Sequence, residues 1–207
     1  MAPLEYGLNK QFPKIIGFCG YATVGKDYSA DLLLKYLSAR YIVGVKKSFA
    51  SSLKTDCKSL YDIFEKYYSA HGNDKLATKK ELFRPIWVLW SRVLKDASKN
   101  DKIWVERLRP ELNNLIINNL IPLVTDVRYI YEVEEIVKMG GCVIRINSDK
   151  IKPANAEEEY SFGEIDMNFK RSDPKESKYC SIIRKENEPE EQLQNILTAI
   201  EHCGFKI

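Results

Sequence analysis

The chain of 207 residues has little of what metal-binding and disulfide-stapled proteins rely on, with two histidines and five cysteines. His71 and His202 lie far apart in polar surroundings, which argues against a zinc site. Cys19, Cys57, Cys142, Cys180 and Cys203 are scattered, odd in number and without a Cys-x-x-Cys pair, so reduced thiols are expected rather than a disulfide framework. No apolar run approaches the ~18 residues of a membrane span. Met1 to Lys10 lacks the apolar core of a secretion signal, so a soluble cytoplasmic protein is expected, in a host cytoplasm if the chain is viral. The net charge of +3 is too small to argue for general nucleic-acid binding, though it leaves room for a local basic pocket. Repeats and low-complexity tracts are missing too. At 44% hydrophobic and 29% charged, the composition is that of an ordinary globular chain, long enough for one domain with an inserted lid.

What is present is a loop. Gly20-Tyr-Ala-Thr-Val-Gly25-Lys26-Asp27 fits G-x-x-x-x-G-K, with Asp where Ser or Thr is common. The apolar run 14–20 precedes it as a strand, and leucines at helical spacing follow from Tyr28 to Leu37. Strand, glycine-bounded loop and helix start are the context that gives the motif meaning. Backbone N–H groups of Ala22, Thr23, Val24 and Gly25, with the positive end of the helix dipole, can surround a polyphosphate while Lys26 reaches its terminal groups.

Further on, 41–46 reads as a short β-branched strand. From Phe49 to Leu120 helical spacing recurs (Phe83, Ile86, Trp87, Trp90, Val93, Leu94), broken at 71–74, and Arg109-Pro110 is expected to kink or end a helix near Trp104 to Leu108. Strand character returns at 120–125, a helix follows around 131–139, and 142–146 is another strand. Residues 147–177 are polar, charged and without clear periodicity, which suggests a loop or lid. A strand at 179–183 and an amphipathic helix over 188–203 close the chain. Strands separated by helices argue for a parallel sheet covered on both faces. The core is expected over about 14–48, 120–146 and 178–207, with a helical substrate-binding arm over about 49–119.

Val124-Thr-Asp126-Val-Arg128 ends an apolar strand, and in open parallel sheets those ends face the ligand crevice. Asp126 there suits the water shell of Mg²⁺ or the orientation of an attacking phosphate; a helix cap or surface turn is the plainer alternative. Arg128 projects to the same side if the chain stays extended, where its guanidinium matches a phosphate; a surface salt bridge is its alternative. Trp87, Trp90 and Trp104 sit at helical spacing with apolar neighbours and fit a core better than a base-stacking site. Glu157-Glu158-Glu159 fits a solvated surface.

Taken together, these segments resemble the bacteriophage-type deoxynucleoside monophosphate kinases, a branch of the P-loop nucleoside monophosphate kinase superfamily. Gly25-Lys-Asp-Tyr-Ser-Ala-Asp31 is similar to the family's G-K-D-T-x-A-D, except at Tyr28. Phe49-Ala-Ser-Ser-Leu-Lys54 matches F-A-x-x-L-K, and Lys80-Glu-Leu-Phe-Arg-Pro85 matches K-E-x-[FY]-R-P. Trp104-Val105, then Asp126-Val-Arg-Tyr-Ile-Tyr-Glu132 for D-V-R-[FY]-x-x-E, and Gly140-Gly-Cys-Val-Ile-Arg-Ile146 follow in the family's order. Beyond 146 the resemblance fades, with no counterpart of an H-x-S-E segment.

The resemblance implies a three-layer α/β P-loop kinase fold with a mostly parallel five-stranded sheet, a helical insertion and a lid. It implies transfer of the ATP γ-phosphate to a (deoxy)nucleoside monophosphate with Mg²⁺. Lys26, Asp126 and Arg128 are then the catalytic set; Gly20, Ala22, Thr23, Val24, Gly25, Lys26, Asp27, Tyr28 and Arg145 hold ATP. Lys54, Arg84, Arg92, Arg128 and Glu132 become candidates for the acceptor, Lys54 having the alternative of a solvated helix charge. Asp27 contacts Mg²⁺ through water or holds Lys26 in register, and Asp126 also acts through water. A homodimer is left open. So are a kinase of another phosphorylated metabolite, such as phosphomevalonate, and a nucleotide-binding protein that has lost catalysis.

Overall fold

The computed structural model describes residues 12–70, 80–170, 178–185 and 188–207; the side chains at 68–70, 80–82, 84, 169 and 170 also lie outside the description. The chain separates into two compact units, Met1–Ser48 with Glu111–Ile207, and Phe49–Pro110.

The first unit is built on five strands: β1 (Ile16–Cys19), β2 (Gly44–Lys47), β3 (Ile121–Val127), β4 (Cys142–Asn147) and β5 (Tyr179–Ile183). Their order is β2-β3-β1-β4-β5, with every pairing parallel. Helices α1 (Lys26–Ser38), α6 (Ile130–Lys138), α7 (Ala156–Lys170) and α8 (Pro189–His202) flank the sheet. Every residue of β1 is buried, as are the first five of β3 and of β4. This is the pattern of strands covered on both faces, and it explains why they read as unbroken apolar runs. Between the sheet and α1 and α8 lies a core that includes Phe18, Leu33, Leu37, Ile144, Ile196 and Ile200. From β1 the chain goes to β2 and β3 on one side, then crosses to β4 on the other. The carboxyl end of β1 is therefore a switch point, where such sheets open a crevice.

The second unit contains α2 (Ala50–Asp56), α3 (Lys58–Ala70) and α4 (Lys80–Ser98), and the first half of α5 (Ile103–Ile117). Phe83 is 4% exposed and gathers the rings of Tyr61, Phe64 and Trp87 at centroid distances of 4.7, 5.9 and 6.3 Å. Trp104 is buried and donates its indole N–H to Ser91 Oγ at 2.8 Å, a core role as expected.

Two local expectations are corrected. Arg109-Pro110 does not end a helix, since α5 runs through Pro110. The proline removes the N–H that would bond to the Glu106 carbonyl, and Glu106 is exposed, so water can serve that oxygen. Residues 147–177 are also not a loop throughout, because α7 occupies Ala156–Lys170. Its buried positions Glu158, Ser161, Phe162 and Ile165 follow helical spacing, but two of them are polar, which hides the periodicity. The expected break at 71–74 lies outside the described residues.

Candidate phosphate-binding site

Cys19 ends β1, and the loop turns at once on Gly20. Gly20 has φ +137°, and a Cβ there would come within 2.4 Å of the Ile146 carbonyl oxygen and 2.9 Å of Val24 Cγ1. Only glycine fits. Val24, fully buried, anchors the middle of the loop in the core, while Thr23 beside it is exposed with φ +63°. Gly25, φ +96°, is the N-cap of α1 and supplies no side-chain acceptor. The first-turn N–H groups of α1 are thus left without a side-chain cap, and an anion suits that end of a helix. Asp27 is exposed in this first turn, and Tyr28 is 40% exposed.

Lys26 folds back over the loop, donating from Nζ to the carbonyls of Gly20 at 2.7 Å and Tyr21 at 2.8 Å. Its pKa is lowered, first by burial and next by the positive charge of Arg128. A lysine whose charge is discouraged by a neighbouring cation gains from an anion placed beside it. Arg128 thus bears electrostatically on Lys26.

Sheet register explains how. Cys19 pairs with Val127, so the last residues of β3 lie beside the start of the loop. Asp126 accepts a hydrogen bond from Ser48 Oγ at 2.6 Å, and the Arg128 side chain is exposed. Glu132 turns back to accept from the N–H groups of Arg128 at 2.6 Å and Tyr129 at 3.1 Å. It thus satisfies the start of α6, a structural task beside the binding one expected of it. Burial, with the Asp126 carboxylate adding to it, pushes the Glu132 carboxyl up to about 8.

Two side chains that the sequence reading passes over or misplaces also touch the loop. Glu158 of α7 is 7% exposed, not solvated as expected; it accepts from the Ala22 N–H at 3.0 Å and the Ala154 N–H at 2.7 Å. Its helical spacing to Phe162 and Ile165 is the one sequence signal that it faces inward. Arg184, just past β5, donates from Nη1 to the Thr23 carbonyl at 3.1 Å. No motif marks it.

Arg145, expected to meet ATP, is 3% exposed. Its guanidinium lies 4.4 Å from the Phe162 ring centroid and 5.3 Å from that of Tyr21, bonded through Nε to Asn147 Oδ1 at 3.1 Å, with Asp166 at 3.5 Å. It supports the loop's Tyr21 from within the fold. In the other unit, Lys54 and Arg92 are exposed on α2 and α4, with Lys54 Nζ 5.6 Å from the Trp87 ring centroid. Arg84 belongs to α4, but its side chain is outside the described residues.

The residues present fit a magnesium nucleotide. An uncapped helix start, a positive-φ loop and two neighbouring cations suit a polyphosphate. Asp27 and Asp126 offer the hard oxygen donors that Mg²⁺ prefers. Among the described residues no three His, Cys, Asp or Glu side chains cluster as a metal cage. No helix among the described residues is long and apolar enough to cross a membrane.

No protein-family model and no curated protein matches this chain. Among solved structures, thymidylate kinase from Ehrlichia chaffeensis is similar, at 12% identity over 90% of this chain and 97% of that one, with a TM-score of 0.45.

Proposed function

We propose that the protein is an ATP- and Mg²⁺-dependent (deoxy)nucleoside monophosphate kinase, converting a monophosphate and ATP to a diphosphate and ADP. The observation that carries this reading is the meeting of Lys26 and Arg128 at the carboxyl end of adjacent strands β1 and β3, around an uncapped helix start.

Phosphoryl transfer asks the protein mainly for positioning and charge neutralisation. Lys26 leaves the carbonyls of Gly20 and Tyr21 to bridge donor and acceptor phosphates. Its lowered pKa keeps the exchange cheap, because less is lost when a partly discouraged cation moves to an anion. Arg128 orients the acceptor phosphate with its planar fork. Bound Mg²⁺ would neutralise charge on the donor's terminal oxygens. Asp126, steadied by Ser48, would hold that metal's water shell. Asp27 would contact the same shell or keep Lys26 in register. Lys54, Arg84 and Arg92 remain candidates for binding the acceptor, a role that each requires testing one by one.

A coupled assay of ADP release across the nucleoside monophosphates, with thymidylate and phosphomevalonate included, tests the proposal. Acceptor-dependent ADP release that Lys26→Met removes is the expected result. Folded protein that turns over no nucleoside monophosphate sinks it. A second reading, a nucleotide-binding protein with little catalysis, draws support from Glu158, whose carboxylate already occupies the Ala22 N–H. It predicts ATP binding without acceptor-dependent release.

A further inference from the structure

Arg184 is built onto the loop more tightly than a surface arginine. Its backbone N–H donates to the Asn147 carbonyl at 2.8 Å, pinning it at the carboxyl end of the sheet between the exits of β4 and β5. From there the side chain runs back across the loop. A Cβ on Gly25 would meet Arg184 Nε at 3.3 Å, Cζ at 3.5 Å and Cδ at 3.6 Å, so the guanidinium lies against that glycine. Gly25 is favoured by its positive φ, and a side chain there would also press on the arginine beside it.

One donor of this guanidinium is used, Nη1 to the Thr23 carbonyl. Arg184 Nε is buried and has no hydrogen-bond partner among the described residues. No carboxylate among them forms an ion pair with Arg184 either. A buried, unpaired N–H on a permanent cation is costly, and it persists where something else completes it. The neighbourhood says what that something is. Gly25 opens α1, whose first-turn N–H groups have no side-chain cap, and Lys26 is the next residue. Helix start, Lys26 and Arg184 all attract negative charge.

We infer that Arg184 is a donor-binding residue, contributing its guanidinium to a phosphate of the polyphosphate seated on the loop. This deepens the kinase reading and rests on the loop being a polyphosphate site. It commits to phosphate rather than base as the group recognised. A planar fork already held by Thr23 and Gly25 is pre-ordered for such an anion, so little rotamer freedom is lost on binding.

The test is direct binding of ADP and of inorganic tripolyphosphate, by calorimetry, to the parent protein and to Arg184→Gln, Arg184→Ala and Arg184→Lys, with melting temperatures of the unliganded proteins. Gln keeps a donor for the Thr23 carbonyl while removing the charge. Both ligands are expected to bind Arg184→Gln and Arg184→Ala about 10- to 100-fold more weakly, the range of a charge-assisted hydrogen bond. Lys should recover part of the loss, and Arg184→Gln should melt within a few degrees of the parent. Equal affinity of Arg184→Gln and parent overturns the inference. So does a loss for ADP with none for tripolyphosphate, which would assign the arginine to the base. A parent protein that binds neither ligand overturns the loop reading as well, which separates that failure from this one.

Discussion

The sheet unit and the helical unit solve the same packing problem differently. In the sheet unit, β1, β3 and β4 are apolar almost without break, and Phe18, Leu33 and Leu123 have no exposed surface. In the helical unit a smaller set, including Leu53, Phe83, Trp104, Val105 and Leu108, is buried. There Ile63, Tyr67 and Leu89 remain 65, 62 and 63% exposed. The loop at Gly20 to Asp27 lies in the first, turned on glycines with positive φ. The second carries Lys54 and Arg92, exposed on α2 and α4. A loop closed by its own glycines suits the constant donor of the proposed reaction, and exposed helix positions suit its variable acceptor.

Core truncation should show the contrast most strongly. Phe18→Ala is expected to cost about 3–5 kcal/mol, the usual range for a buried Phe, and Phe83→Ala less, at about 3 kcal/mol. All three tryptophans, Trp87, Trp90 and Trp104, lie in the helical unit, so their fluorescence reports on that unit alone. In urea, Phe83→Ala should move the fluorescence midpoint below that of far-UV circular dichroism, whereas Phe18→Ala should move both. Coincident midpoints in Phe83→Ala would mean that the units unfold as one.

Turnover should divide in the same way. Lys26→Met is expected to lower kcat by 10²–10³-fold, on the order of losing one preorganised donor to developing charge. Lys54→Ala should cost about tenfold, and mainly in KM for the acceptor, as a charged contact made before the transition state does. A larger kcat loss in Lys54→Ala than in Lys26→Met would reverse the assignment of donor and acceptor sides.

Within the sheet unit, Glu158 and Glu159 make a finer comparison. Glu158→Ala leaves two N–H donors without their carboxylate and should cost about 1.5–3 kcal/mol. Glu159→Ala, at an exposed position, should stay within ~0.5 kcal/mol. Equal effects in thermal unfolding would return Glu158 to the solvated surface.

The smallest effect is a slope. The folded Glu132 carboxyl keeps its proton up to about pH 8, whereas its ordinary pKa is 4.5. Through that window the folded state binds more protons than the unfolded one, so this group's contribution to stability falls as pH rises. Glu132→Gln removes the titration. Its Tm between pH 5 and 8 should fall less than the parent's does, by at least the ~2–4 °C that 1 kcal/mol produces at this length. Parallel curves would show that the carboxyl is ionised throughout.

Much of this is legible in the sequence. The loop at Gly20 to Asp27, its flanking strand and helix, and the parallel sheet all follow from local patterns, because glycine, lysine and apolar runs act over a few residues. Asp126 and Arg128 were legible from their place at a strand end. Glu158 was not, because a glutamate on a helix is ordinarily solvated and nothing local tells of the Ala22 N–H, 136 residues away. The surroundings of Arg145 were illegible for a related reason. Strand position alone could not tell that Tyr21 and Phe162 cover it.

By itself, then, the sequence determined a glycine-bounded G-x-x-x-x-G-K loop between strand and helix, and the cations proposed to serve it, since backbone geometry at glycine and charge at lysine are local properties. Tertiary structure alone decided which charges face one another. The β1–β3 register sets Arg128 near Lys26, helix α7 lays Glu158 on the loop, and the end of β5 lays Arg184 there. Such pairings depend on strand order and helix packing across more than a hundred residues, and no local pattern records them.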